Sequence, residues 1–360
     1  MSRFLREGLT SLVPYVPGEQ PKSVSRLIKL NTNESPFPPS PRVLAALSES
    51  EIGRLQLYSD PTADILGNAI AEYYGVPRAS VVCSNGSDEI LAFAIDAFCD
   101  RSVGLKTPDI TYGFYPVFCK LYGVPLTVSP LRDDFSVSVS DYLVGGETVM
   151  LANPNAQTGV ALPLSEIERI VAADTGRLVI IDEAYVDFGG ESAVPLTQKY
   201  DNLLVVQTFS KSRSLAGARI GFAIGSPELI RDLETVRNSF NPYNLNRLSL
   251  LAGAAAISDR AYFEKTRAEV VRVREETKAA LTALGFTYPP SSANFILARH
   301  SAISGEALYA ALRERGIIVR HFGDARIRDY VRITVGSAED MQALLKALGE
   351  ILNSIKGEKQ

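Results

Sequence analysis

Short apolar runs, each closed by a polar stretch, recur through the first two thirds of the chain at 80–83, 103–107, 147–152, 178–181 and 203–206. Runs of this length bounded by turn residues read as buried strands. Between them the apolar spacing becomes helical at 41–47, at 63–74 with a stop at Gly75, at 90–99 and at 164–173. The last third continues with helices over 228–238 and 262–284, a strand over 294–299, a helix over 305–315 and strands over 317–320 and 331–335. Met341, Leu344, Leu345, Leu348, Ile351, Leu352 and Ile355 then lie on one stripe of a closing helix, which marks a core-facing surface. Strands alternating with helices, and polar residues at the carboxyl ends of the strands, predict an open α/β sheet with its ligand site along those ends.

The long helix at 262–284 can join a large domain to a small one. Residues 1–40 carry Pro14, Pro17, Pro21, Pro36, Pro38 and Pro39 and read as an arm that drapes over another surface. The expected organisation is an arm over 1–40, a large domain over 41–260 and a small domain over 261–360 that takes in part of the arm.

Composition narrows the partners. The chain has 360 residues, 46% hydrophobic and 22% charged, enough for a sizeable core and two domains of a soluble globular protein. A net charge of −4 gives no reason to expect nucleic acid or an anionic membrane. No stretch approaches the roughly 18 apolar residues of a membrane span, and the first residues lack the apolar core of a signal peptide. Three scattered cysteines fit neither a disulfide framework nor a zinc site and suit a reducing cytoplasm. With only His300 and His321 present, neither a histidine metal site nor a Ser-His-Asp triad has support, and no metal is expected.

The strand ends supply one chemical set. Lys211 follows the strand at 203–206 in a loop with Thr208 and Ser210, where desolvation would make its amine nucleophilic and able to form a Schiff base with an aldehyde cofactor. Asp182, directly after four apolar residues, could pair with a protonated pyridine nitrogen. Tyr185 and Asn155 are candidate donors to a phenolic oxygen, and Tyr112 offers a face for stacking on a planar ring. Gly86, Ser87 and Asp88 open a helix after a strand, an anion-binding arrangement. Ser210 and Arg219 add donors for a phosphate. These are the requirements of pyridoxal phosphate, and a lysine released from such a cofactor could serve as general base and acid. Arg320 and Arg332, each at a late strand, are candidate forks for phosphate or carboxylate.

The same residues carry a resemblance. LVPYVPG near the start, LNTNESPF, the GSDE turn, PDITYGFY, NPNAQTG, IDEAY, TFSKSRSLAGARIGF, ANFILAR and VRITVG together resemble the class II pyridoxal-phosphate-dependent aminotransferases of fold type I. Within them the chain resembles the histidinol-phosphate aminotransferase family over nearly its whole length. The resemblance implies a large domain with a mostly parallel seven-stranded sheet and a smaller α/β C-terminal domain. It implies transamination between L-histidinol phosphate and 2-oxoglutarate, yielding imidazole-acetol phosphate and glutamate on the route to L-histidine. It also implies a homodimer with sites at the interface, Tyr58 reaching the cofactor phosphate of the other subunit. From motif position, Tyr15 would line the imidazole end, with Asn33 and Asn294 as polar contacts. One turn departs from the pattern: Ala156 stands where an Asn normally faces the phenolic oxygen, and Gln157 where Pro is usual, so either Asn155 takes that contact by a small shift or the contact is lost. An aromatic-amino-acid aminotransferase or a threonine-phosphate decarboxylase on the same fold would keep the whole cofactor set. A non-catalytic regulator would need a DNA-binding domain, for which a 40-residue arm is too short, and the paired late arginines speak against a carbohydrate substrate.

Overall fold

The fold is given by a computed structural model that describes residues 3–5, 7–20 and 27–357. Its strands are β1 (Ile28–Lys29), β2 (Val81–Ser84), β3 (Leu105–Pro108), β4 (Leu126–Ser129), β5 (Thr148–Ala152), β6 (Val179–Asp182), β7 (Leu203–Thr208), β8 (Gly221–Ile224), β9 (Phe295–Ala298), β10 (Ile317–Ile318), β11 (Arg320–His321) and β12 (Val331–Thr334). Seven of them form one sheet in the order β2-β8-β7-β6-β5-β3-β4. Only β8 runs antiparallel to its neighbours β2 and β7; the other pairings are parallel. The α/β class and the mostly parallel sheet of fold type I are therefore as expected.

The central strands are apolar because they are covered on both faces. Side chains alternate across the sheet. Val149, Leu151, Val179, Ile181, Leu203 and Val205 enter one core with Leu66, Ile70, Ile167 and Ile170 from the helices Asp64–Tyr74 and Leu164–Ala173. Met150, Ile180, Leu204 and Val206 enter the other with Ile90, Leu91 and Ala94 from the helix Ser87–Phe98. Parallel β5, β6 and β7 thus deliver Ala152, Asp182 and Thr208 to one edge of the sheet.

A three-stranded antiparallel sheet, β11-β12-β9, and the helices Arg260–Ala283, Gly305–Glu314 and Ala338–Gly357 make up the C-terminal part. The strand expected over 317–320 is two strands. β10 pairs in parallel with β1 from the arm, and β11 turns to pair with β12. Leu30 clamps the arm further, its N–H bonding to Ile318 O (2.7 Å) and its carbonyl accepting from Thr334 N (3.0 Å). The pattern along the chain did not show β4, β8 or the helices Tyr115–Tyr122 and Arg247–Ser258. β4 is a half-exposed edge strand, and Arg247–Ser258 is apolar around much of its circumference with no clean stripe.

β8 approaches the turn after β2 so closely that a Cβ on Gly221 would lie 2.3 Å from Ser87 N and 2.4 Å from Gly86 C. Both obstructing atoms are backbone, so nothing flexible can give way. Gly221→Ala is expected to lower stability by roughly 2 kcal/mol or more through this overlap, measured as the shift in a urea unfolding midpoint.

Candidate active site

The edge where β5, β6 and β7 end opens into a cavity of about 370 Å³. Lys211 lines it just beyond β7, and its Nζ donates to the carbonyl of Thr32 in the arm at 3.0 Å. Burial lowers the Lys211 amine to about 8, with the positive charge of Arg332 acting in the same direction. Asp182, at the last position of β6, is buried in the floor. Its Oδ2 accepts from Tyr115 OH (2.8 Å) and its Oδ1 from Ala184 N (3.1 Å). Desolvation pushes the Asp182 carboxyl up to about 6, against the lowering effect of these two hydrogen bonds and of Lys211.

One end of the cavity is a helix N-terminus. Gly86, at φ +84°, caps the helix Ser87–Phe98, and Ser87 and Asp88 line the cavity together with Ser210, Thr208 and Arg219. Thr208 Oγ1 bonds to Ser210 Oγ (3.0 Å) and accepts from Ser210 N (3.1 Å), which fixes the hydroxyls of the lysine loop. Arg219 sits in the left-handed region at φ +51° and pairs with Asp88 (3.2 Å); Asp88 also accepts from Tyr112 OH (2.8 Å). A Cβ on Gly86 would come within 2.5 Å of the Arg219 guanidinium, so glycine is what lets the arginine lie over the helix end. Strained backbone at such a position is characteristic of functional loops.

The opposite wall comes from the arm and the C-terminal sheet. Tyr185 OH accepts from Asn33 Nδ2 (3.0 Å), and Asn33 exchanges two hydrogen bonds with Thr334, each 3.0 Å. Asn294 Nδ2 donates to Asn33 O (2.9 Å). Asn294 therefore stands behind the wall, not in it. Tyr15 lines the cavity and stacks on Phe114 with centroids 4.4 Å apart. Arg332 is held between the rings of Phe295 (5.1 Å) and Phe322 (5.4 Å). Its partners are the carbonyls of Ala156 (3.2 Å) and Asn31 (3.3 Å) and the Gln157 amide oxygen (3.1 Å). Arg320 also lines the cavity, but its guanidinium is tied to the carbonyls of Val16 (3.0 Å) and Pro17 (3.2 Å).

Two further expected residues, besides Asn294, lie outside the cavity. Asn155 does not line the cavity: its amide donates to Ile110 O (2.9 Å) and Thr158 Oγ1 (3.0 Å), which builds the turn, and Ala156 and Gln157 face the site instead. The small shift that would turn Asn155 inward is opposed by these bonds. Tyr58 is 79% exposed and stacks on Tyr243 (4.4 Å), away from the cavity of its own chain. Thr32, Glu34, Tyr115 and Gln157 belong to the site without having been singled out as site residues from the sequence. Tyr115 was visible only as one of a cluster of aromatics. The three-residue step from Tyr112 to Tyr115 opening a helix was the available signal. A further cavity of about 450 Å³ between Val139, Leu151, Ile167 and Arg169 holds none of the candidate residues. Among the described residues no cluster of His, Cys, Asp or Glu could hold a metal, and no helix is long and apolar enough to cross a membrane.

Comparison with known proteins agrees with this geometry. The family profile of aminotransferase class I and II matches residues 25–348. A histidinol-phosphate aminotransferase of Aromatoleum aromaticum is 51% identical over 356 residues, covering 98% of this chain and 100% of that protein. One of Pseudomonas entomophila is 50% identical, covering 97% and 100%. Among solved structures, the histidinol-phosphate aminotransferase of Sinorhizobium meliloti in complex with pyridoxal-5'-phosphate superposes with a TM-score of 0.84 at 26% identity, covering 91% of each chain. A match by profile over most of the chain, and by half of all residues over nearly its full length, leaves one conclusion: the chain belongs to the class I and II aminotransferases, among the histidinol-phosphate aminotransferases.

Proposed function

We propose that the chain catalyses the pyridoxal-phosphate-dependent transfer of the amino group of L-histidinol phosphate to 2-oxoglutarate. The observation that carries this reading is the shared cavity of Lys211 and Asp182, an amine of lowered pKa and a buried carboxylate without a basic partner, closed at one end by a helix N-terminus. The residues fit the cofactor. A buried carboxylate that only a tyrosine and one backbone N–H serve is suited to a cationic ring nitrogen. Ser87, Ser210 and Arg219 at the helix end are suited to a phosphate. Pyridoxal phosphate, when bound, supplies an aldehyde that condenses with amines and a ring that draws electrons from the substrate Cα.

The remaining work falls to side chains. Asp182 would hold the ring nitrogen protonated, and Tyr115 holds Asp182 in place. Lys211, an amine near 8, would take and return the proton at the substrate Cα close to neutral pH. Tyr185, whose hydroxyl accepts from Asn33, would donate to the phenolic oxygen, for which Asn155 was also expected as a donor. Arg332 is the anchor for the substrate anion, since no carboxylate pairs with it among the described residues. It would receive phosphate in one half-reaction and carboxylate in the other. Tyr15 lies where it would flank the imidazole. Arg320, bound to the arm, would close the arm over the substrate.

The domain division at residues 41–260 and 261–360 and a homodimer complete the reading. Leu44, Ile52, Leu55, Leu57, Tyr58 and Phe240 are large apolar side chains at least half exposed, which suits burial against a second copy. Tyr58, facing away from its own cavity, would serve the partner's. Cys83, Cys99 and Cys119 are buried free thiols, in keeping with the cytoplasm.

The deciding experiment follows the visible spectrum of the cofactor-loaded protein after addition of L-histidinol phosphate alone. Conversion of the cofactor from its aldehyde to its amine form, reversed by 2-oxoglutarate, is expected; conversion by L-phenylalanine but not by histidinol phosphate, or decarboxylation of O-phosphothreonine, would overturn the substrate assignment. Acylation of the Lys211 amine in the cofactor-free protein, read by peptide mass spectrometry against pH, should follow a midpoint near 8, while exposed lysines titrate about two units higher. The sign follows from burial: the neutral amine is the reactive form, and its fraction rises through the folded-state pKa. Lys211→Ala should load no cofactor covalently and turn over no substrate. Arg332→Ala should raise KM for histidinol phosphate and for 2-oxoglutarate at least about tenfold while the cofactor still binds.

A further inference from the structure

Arg332 is oriented without being neutralised. It projects from β12 between two aromatic rings, and its hydrogen bonds go to two carbonyl oxygens and one side-chain amide. Its Nε is buried and has no partner. Among the described residues, Gln157 is the only side chain that accepts a hydrogen bond from it.

Gln157 is itself fixed from both directions. Its Oε1 accepts from Arg332 Nη1 at 3.1 Å, and its Nε2 donates to Thr111 O at 3.2 Å, in the loop that carries Tyr112. The turn beneath it is rigid. Asn155 N bonds to Val160 O and Gly159 N to Asn155 O, each at 2.9 Å, and the Asn155 amide binds Ile110 and Thr158. Gly159, at φ +77°, lies against Ser291, where an added Cβ would come within 2.4 Å of Oγ. The backbone of Gln157 therefore has little freedom, and the amide can satisfy both neighbours in only one orientation: carbonyl toward the arginine, NH₂ toward Thr111.

A neutral acceptor here has a chemical consequence. A carboxylate of the same shape would form a charge-assisted bond to the guanidinium and compensate it internally. It would also meet Thr111 O with an acceptor. An apolar side chain would leave Nη1 with one acceptor fewer and Thr111 O without this donor, which loosens the fork. An amide orients the cation and leaves its charge uncompensated.

We propose that Gln157 is the positioning residue of the anion anchor: it sets the Arg332 guanidinium and, by being neutral, reserves its charge for the substrate, so that it governs selection of phosphorylated and dicarboxylic substrates over uncharged ones. This rests on the reading of Arg332 as that anchor. Gln157 also lines a neighbouring groove of about 470 Å³ under the arm, which shares Tyr15, Arg320 and Phe322 with the active cavity and has Lys120 on its rim. Its amide thus stands in the partition between the outer groove and the anchor.

The test uses cofactor-loaded Gln157→Glu, Gln157→Leu and Arg332→Ala, with steady-state kinetics on histidinol phosphate, on unphosphorylated histidinol and on 2-oxoglutarate. Gln157→Glu should raise KM for both anionic substrates by about 30-fold or more, and should lower kcat/KM for histidinol by a much smaller factor. The preference for the phosphorylated donor should fall by at least about tenfold. Gln157→Leu should raise the same two KM values by a smaller factor, about 3- to 10-fold, and decides the matter should Gln157→Glu fail to fold. If KM for histidinol phosphate stays within about twofold in the Gln157 variants while Arg332→Ala raises it, the proposal is overturned and the anchor stands. Equal losses on phosphorylated and unphosphorylated donors would also overturn it, since they mark a general structural role. An unchanged KM in Arg332→Ala would instead sink the anchor reading itself.

Discussion

Two ionisable groups that a protein interior disfavours, the carboxyl of Asp182 and the amine of Lys211, are the constraint around which this molecule is built. Each sits at or just past the end of a strand buried along all or nearly all of its length. Burial raises the first to about 6 and lowers the second to about 8. With no ligand bound, each costs up to about 2–3 kcal/mol at neutral pH. The cost of Asp182 appears as pH rises from its unfolded value through 6. That of Lys211 is relieved only as pH rises from about 8 toward its unfolded value. Such a penalty is tolerable only inside a large core, and the two apolar layers on either face of the seven-stranded sheet provide it.

The partners of these groups explain the remaining architecture. Asp182 requires Tyr115, at the start of the helix after β3; Lys211 requires the Thr32 carbonyl of the arm. Asn33, Thr334, Asn294 and Tyr185 form one buried hydrogen-bonded group that ties the arm, the C-terminal sheet and the end of β6 into a single wall. Of this buried network only Asn294 Oδ1 is without a partner among the described residues. The arm is thereby a structural wall of the site, although its described residues contribute only one two-residue strand to any sheet.

The two arginines of the C-terminal sheet illustrate how a shared residue type acquires separate duties. Arg320 and Arg332 are cross-strand partners on β11 and β12. Arg320 spends its donors on arm carbonyls, while Arg332 is braced by aromatic rings and a neutral amide. One fastens the arm; the other keeps its charge available. Their mutual repulsion, which contributes to lowering the Arg332 pKa, also favours an anion between or beside them.

The sequence by itself determined the α/β class, most strands of the main sheet and the placement of Lys211 and Asp182 at strand ends, because buried parallel strands are continuous apolar runs and a charged residue directly after one has few places to go. It also determined that the helix after β2 begins at a glycine turn suited to an anion. Only the tertiary structure decided that Asn155 turns into its own loop, that Asn294 stands behind the wall and that Tyr115, Thr32 and Gln157 take part. These are contacts between segments up to 261 residues apart, and no local periodicity encodes which side chain a distant carbonyl will meet. The strand at 317–320 divided for the same reason: its residues favour extended backbone, but which edge each pair joins depends on where β1 and β12 lie.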